Sequence, residues 1–337
     1  MENKTFIIAE LSANHNGDIE VALETVRAAK RTGADAIKLQ TYTADTLTID
    51  CKNDYFKINH GTAWDGEYLH DLYKRAYTPW EWHEEIYRVA KEEGLVCFSS
   101  PFDRTAVDFL EELETPMYKI ASFEIQDIPL IQYAASKMKP MIISTGIAEI
   151  SDIELAIKTC KEAGNNDITI LKCTSAYPAD SKDANLLTIP DIKNRFGVKV
   201  GLSDHTMGIE GPIVAKVLGA TVIEKHFILD KSIGGPDAHF SLDEKEFTAM
   251  VKAVRKAEQM MGKVDYEMTE KKMKSRQFSR SLFIVEDVKE GDFISEKNVR
   301  SIRPGFGLHP KHYNEILGKK FSSNFEKGTP LEMKFIN

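Results

Sequence analysis

Cysteine is scarce. The 337-residue chain has four: Cys51, Cys97, Cys160 and Cys173. No two have Cys-x-x-Cys spacing, which argues against a thiolate-held metal and a disulfide framework. Cys97 and Cys173 lie in apolar runs and read as buried free thiols. Long hydrophobic runs are also missing. After Met-Glu-Asn-Lys-Thr only a short apolar stretch precedes Glu10, so neither a signal peptide nor a membrane span is expected, and the expected address is the cytoplasm. Positive charge is not in excess. Forty-four lysine and arginine residues against 52 aspartate and glutamate leave a net charge of −8, which argues against a nucleic-acid partner. With 42% hydrophobic and 28% charged residues, the composition is that of a soluble globular protein, not a disordered or fibrous one.

Short β-rich runs are plentiful: 6–9, 36–40, 96–99, 117–121, 141–144, 169–173, 198–202 and 221–227. Amphipathic stretches such as 20–31, 79–93, 153–163 and 213–218 separate them, and Gly33, Gly94, Gly164 and Gly219 follow helices as C-termini prefer. Eight strand–helix alternations predict a parallel sheet with crossover helices. At about 250 residues that number fits a closed (β/α)8 TIM barrel, with an open doubly wound sheet as the alternative. The barrel is expected over residues 1–265 and a linker over 266–280. Lys271, Lys272, Lys274, Arg276 and Arg280 cluster there with no acidic residue between the first and the last of them, as in a solvated linker or helix. From Ser281 the texture changes to short strands and Gly/Pro-rich turns. Residues 281–337 read as a small β-rich domain, marginal alone and expected to dock on something.

Function in a barrel gathers at the C-terminal strand ends, and these ends are polar. Glu10 ends the first. Lys38 and Gln40 share one face of the second. Ser100 ends the third, Lys119 and Ser122 the fourth, Ser175 and Tyr177 the sixth, and Ser203 and His205 the seventh. Glu224 and His226 share a face of the eighth, with Lys225 on the other. A single polar strand end is usually a cap, but lysine inside an apolar strand is costly to bury unpaired. Lys38 and Lys119 therefore either pair with Glu10 or Glu224, or, with the serine hydroxyls, form a phosphate or carboxylate site. His205 and His226 end neighbouring strands about 4.8 Å apart. Singly each reads as a core histidine; as a pair they suit a borderline divalent metal with positions open to water and substrate oxygen. Asp237, in a lid-like loop with His239, is a candidate to hold a metal-bound water. His15 reads as a loop contact; His60, His70, His83, His309 and His312 read as surface or structural.

The motifs AELSANHNGD (9–18), IKLQTY (37–42), SSPFD (99–103), YKIASFE (118–124), STGIA (144–148), LKCTSAYP (171–178), GLSDHT (201–206) and EKHF (224–227) resemble the sialic acid synthase family. IRPGFGLHP (302–310) is similar to that family's C-terminal antifreeze-like (SAF) domain. The resemblance spans nearly the whole chain in the family's motif order. ELSANH, the segment 62–83 and SRSLF with SIRPGFGLHP resemble the pseudaminic acid branch. That branch also fits Ser175 where sialic acid synthases tend to carry asparagine.

The resemblance implies a (β/α)8 barrel with a small SAF domain, in a domain-swapped homodimer whose small domain covers the partner's barrel mouth. It implies condensation of phosphoenolpyruvate with the open-chain aldehyde of an N-acetylated amino sugar. In the pseudaminic branch that sugar is 2,4-diacetamido-2,4,6-trideoxy-L-altrose; sialic or legionaminic precursors are the alternatives. Matched residue by residue, it assigns Lys38, Ser100, Lys119, Ser122, Ser175, Ser203 and Asp237 to phosphoenolpyruvate. Gln40, Tyr177, Phe278 and Arg303 match sugar contacts. His205 and His226 match ligands of a manganese-type metal, with magnesium and cobalt also compatible. Glu10 and Glu224 are candidates for handling the attacking water or stabilising the cation, and either fits. Rivals are a class I aldolase using Lys38 or Lys119 as Schiff base and a non-catalytic phosphosugar-binding module.

Overall fold

The computed structural model describes residues 4–59 and 64–337. His60, the first residues of the 62–83 segment and the N-terminal Met-Glu-Asn lie outside them. The chain divides into two compact units, Met1–Gly262 and Lys263–Asn337.

The first unit is a closed barrel of eight strands in sequential order: β1 (Phe6–Glu10), β2 (Ala36–Thr41), β3 (Val96–Pro101), β4 (Tyr118–Ile120), β5 (Met141–Ser144), β6 (Ile168–Cys173), β7 (Lys199–Asp204) and β8 (Val222–His226). All neighbours are parallel and β1 closes on β8, with Glu10 opposite His226. Parallel strands require crossovers. Helices supply them, among them Ile19–Thr32, His83–Glu92, Ile150–Glu162 and Glu210–Val217, and Glu244–Met261 follows the last strand. The first is typical: Asp18 caps its N-terminus, and Gly33 ends it at φ 86° with its N–H on the Lys30 carbonyl. The open-sheet alternative is excluded by the β1–β8 pairing.

Two apolar layers fix the mouth. Ile8, Ala36, Phe98, Ile142, Leu171 and Val222 fill the lower barrel interior. Ile7, Ile37, Ile223, Phe227 and their neighbours face the helices. Strand alternation then leaves the next inward positions, higher on each strand, to the polar residues singled out above.

The second unit contains the helix Glu270–Arg276, within the expected linker, and the antiparallel pair β9 (Ser281–Ile284) and β10 (Val299–Ile302). Leu282, Ile284, Val288, Ile294, Val299, Ile316, Phe321 and Leu331 form its core. Much of the rest is irregular chain tied by single bridges. Among the described residues, no helix is long and apolar enough to cross a membrane.

Candidate active site

The polar strand ends converge inside the barrel mouth. Lys38 Nζ lies 2.6 Å from Glu10 Oε2 and 3.8 Å from Glu224 Oε2, and it donates to Ser100 Oγ at 3.2 Å. Lys119 Nζ lies 3.7 Å from Glu224 Oε1 and donates to the Ile120 carbonyl. Ser203 Oγ donates to Glu224 Oε1 at 2.8 Å. Gln40 Nε2 donates to Glu10 Oε1 and Ser12 Oγ. The two readings of the lysines thus merge: both pair with glutamate, and both sit among hydroxyls able to serve an anion. All four charged groups are at most 5% exposed.

Their environments separate the two carboxylates. Burial pushes Glu10 up to about 7, against the pull of Lys38. Burial also disfavours the charged form of Glu224, but Lys119 and Lys38 outweigh it and hold that carboxyl below its ordinary range. The same burial lowers the Lys119 ammonium, only partly offset by Glu224. For Lys38, Glu10 and Glu224 overcome burial and raise it. Glu10 is therefore the group poised to exchange a proton near neutrality, and Glu224 the one that stays negative.

Gly146, in the turn after β5, brings two further hydroxyls together. Its N–H donates to Ser122 Oγ at 3.0 Å. A Cβ there would stand 1.9 Å from Ser175 Oγ and 2.8 Å from Ser122 Oγ.

His205 and His226 face each other with ring centroids 5.3 Å apart. His205 Nδ1 lies 3.1 Å from the Thr174 carbonyl and 3.6 Å from Cys173 Sγ. Donation to the carbonyl leaves Nε2 as the ligating atom. His226 Nδ1 is buried without a hydrogen-bond partner among the described residues, and Asp237 Oδ2 stands 3.8 Å away. No cluster of three or more His, Cys, Asp or Glu suited to a metal occurs among the described residues. An orphaned imidazole nitrogen facing a second imidazole fits an ion with two protein ligands and the rest from water or substrate.

Beside this charged floor lies a cavity of about 440 Å³. Gln40, Ser12, Ser122, Glu124, His226 and Asp237 line its polar side. Tyr42, Ile58, Leu69, Leu72, Tyr73 and Phe102 line an apolar wall. The Tyr177 ring lies tilted against His205, centroids 4.5 Å apart, and Phe240 meets His226 edge to face. Phe278 and Arg303 belong to the second unit, where both are exposed.

Five of the other histidines have structural partners. His15 is buried and meets Thr78 and Trp82. His70 pairs with Asp45, His83 with Thr41, and His312 with Glu315. His309 caps the turn at Lys311, and His239 is exposed. Sequence reasoning missed Gly146, Glu124 and most of the apolar wall. Glu124 closes the YKIASFE motif, and a buried Oε2 without a hydrogen bond marks it; burial lifts its carboxyl to about 7.

Comparison with known proteins agrees in both units. The NeuB family model matches residues 25–266 and the SAF domain model residues 279–336. The chain is 50% identical to the pseudaminic acid synthase of Campylobacter jejuni, over 98% of this chain and 96% of that protein. It is 49% identical to the pseudaminic acid synthase of Helicobacter pylori, over 96% of each. The crystal structure of the N-acetylneuraminic acid synthetase from Leptospira borgpetersenii superposes with a TM-score of 0.72 at 30% identity, covering 81% of this chain and 90% of that one. An eight-stranded barrel with this mouth, followed by a SAF domain and matched over almost its full length, leaves one assignment: the chain belongs to the NeuB family of sialic acid synthase-type enzymes.

Proposed function

We propose that this chain is a pseudaminic acid synthase: it condenses phosphoenolpyruvate with the aldehyde form of the diacetamido-trideoxy-altrose and releases inorganic phosphate. The observation that carries the reading is the mouth itself, where two buried lysines and a ring of hydroxyls adjoin a half-apolar, sugar-sized cavity. Lys38 and Lys119 supply point charge, and Ser100, Ser122, Ser175 and Ser203 supply donors, to the phosphate and carboxylate oxygens. The apolar wall favours a sugar with a methyl group in place of a hydroxymethyl and with two acetamido methyls.

The residues divide the chemistry as follows. The substrate's C3 bonds to the aldehyde carbon, whose oxygen takes up a proton. Positive character at C2 is met by Glu224, which stays ionised between its lysines. Glu10, near its midpoint at neutrality, takes a proton from the water that adds to C2. The C2–O bond to phosphorus then breaks, and the C2 hydroxyl proton is lost as the keto acid forms. Held by His205 and His226, a divalent ion such as manganese would supply Lewis-acid polarisation of the aldehyde. Gln40 and Tyr177 line the sugar's path. Following the family resemblance, we read Phe278 and Arg303 as reaching a partner's cavity in a domain-swapped homodimer.

The test is isotopic. Phosphoenolpyruvate carrying ¹⁸O in the bridging position should deliver the label to phosphate in the presence of the sugar. Label retained in the organic product would mean P–O cleavage, and the proposal would fall.

A further inference from the structure

Asp204 and Lys225 are each the residue immediately before one of the paired histidines, and the β7–β8 register sets them opposite each other. Alternation turns them away from the mouth, toward the surrounding helices. Both are buried, at 3% and 1% exposure. Lys225 Nζ stands 2.5 Å from Asp204 Oδ2 and donates to the Thr206 carbonyl at 2.6 Å. Asp204 Oδ1 accepts from the Thr206 N–H at 3.1 Å and its hydroxyl at 2.8 Å. Residues 204 and 206, on either side of His205, are thus gripped by one ammonium that itself precedes His226. Gly211 backs onto the Asp204 carboxylate, where a Cβ would lie 3.2 Å from each oxygen.

Removing two charges from water consumes much of what their attraction returns, and apolar side chains would serve this barrel–helix layer as well for stability. The arrangement therefore asks for a geometric reason. Rotation or slippage of either strand end would change the separation and facing of the imidazoles, which the closed ring around His205 resists.

We propose that the Asp204–Lys225 pair is a positioning device for the two histidines, setting the geometry with which they hold a divalent ion. The inference rests on reading His205 and His226 as an ion site. The pair does not touch substrate; it acts through the strand ends.

The test uses the full chain and Mn²⁺ alone, followed by calorimetry and by electron paramagnetic resonance. The double variant Asp204→Asn/Lys225→Gln removes both charges while keeping hydrogen-bonding capacity. Loss of a group bonded directly to a metal ligand weakens binding about 10- to 100-fold; this pair acts one bond further out, so the expected rise in Kd is about tenfold, the low end of that range, with the metal-free melting temperature close to wild type. Lys225→Arg, the variant to use should the double one not fold, keeps the charge but displaces the donor from Thr206 and should weaken Mn²⁺ in the same direction. Unchanged Mn²⁺ affinity in either folded variant, whatever happens to its melting temperature, would leave the pair a mere staple and overturn the proposal. A wild-type chain that binds no Mn²⁺ would overturn the ion site itself, and the positioning role with it.

Discussion

Replacing Gly146 with alanine adds a single methyl group at the point where two anion-binding hydroxyls converge. Its φ lies outside the left-handed region, so the backbone tolerates the change. The methyl carbon would stand 1.9 Å from Ser175 Oγ, 2.9 Å from Ser175 Cβ and 2.8 Å from Ser122 Oγ. Rotating the Ser175 hydroxyl removes the first clash but not the second, so Ser175 must move bodily and at least one hydroxyl leaves its place. A hydrogen bond to a charged group is worth about 1.5–3 kcal/mol. At about 1.4 kcal/mol per tenfold, losing one raises the KM for phosphoenolpyruvate by roughly 10- to 150-fold. The assay is initial-rate phosphate release against each substrate in turn, beside a melting curve. The sugar KM should change little. A folded Gly146→Ala enzyme with wild-type phosphoenolpyruvate KM would refute the placement of Ser122 and Ser175 at the anion.

Two other outcomes follow from the mouth and its wall. Glu10 sits near 7 in the folded chain, so its carboxylate is lost as pH falls through that value, and kcat/KM should fall with it; Glu10→Gln should be nearly inactive, and the residual rate should lack this acid limb. A limb that persists in Glu10→Gln would assign it to another group. Ile58, 6% exposed and on the apolar wall, should favour the deoxy sugar; Ile58→Thr should shift the kcat/KM ratio toward a hydroxymethyl sugar such as N-acetylmannosamine by about tenfold, as one apolar group in a pocket does, and an unchanged ratio would remove the wall from specificity.

The barrel was legible because it rests on local patterns. Apolar runs with period-2 polarity, helices capped by residues such as Asp18 and closed by Gly33, and eight repeats leave little freedom in topology. Lys38 and Lys119 were legible for the same reason: an ammonium inside an apolar strand has to have a use. Glu10 and Glu224 were legible as their possible partners, but not what separates the two. The sequence left Glu10 and Glu224 equivalent, and only the distances to Lys38 and Lys119 separate a carboxyl near neutrality from one held ionised. Gly146 was invisible because glycine in a turn has many reasons, and only the positions of Ser122 and Ser175 reveal this one. The apolar wall comes largely from residues 42–76, an excursion between β2 and the next barrel helix that lies outside the strand–helix alternation; the helix Leu69–Ala76 carries Leu69, Leu72 and Tyr73 at helical spacing, but only tertiary contact turns that face to the mouth. Lys225 was visibly on the outer face, yet its bond to Asp204 depends on the β7–β8 register, which is a tertiary fact.

The most direct test of the central claim is phosphate release from phosphoenolpyruvate with three sugars, each with and without EDTA: the diacetamido-trideoxy-altrose, its legionaminic counterpart and N-acetylmannosamine. The account predicts EDTA-sensitive release with the altrose sugar, far above the other two. Metal-replete enzyme that releases no phosphate with the altrose sugar, or prefers either of the others, would contradict it.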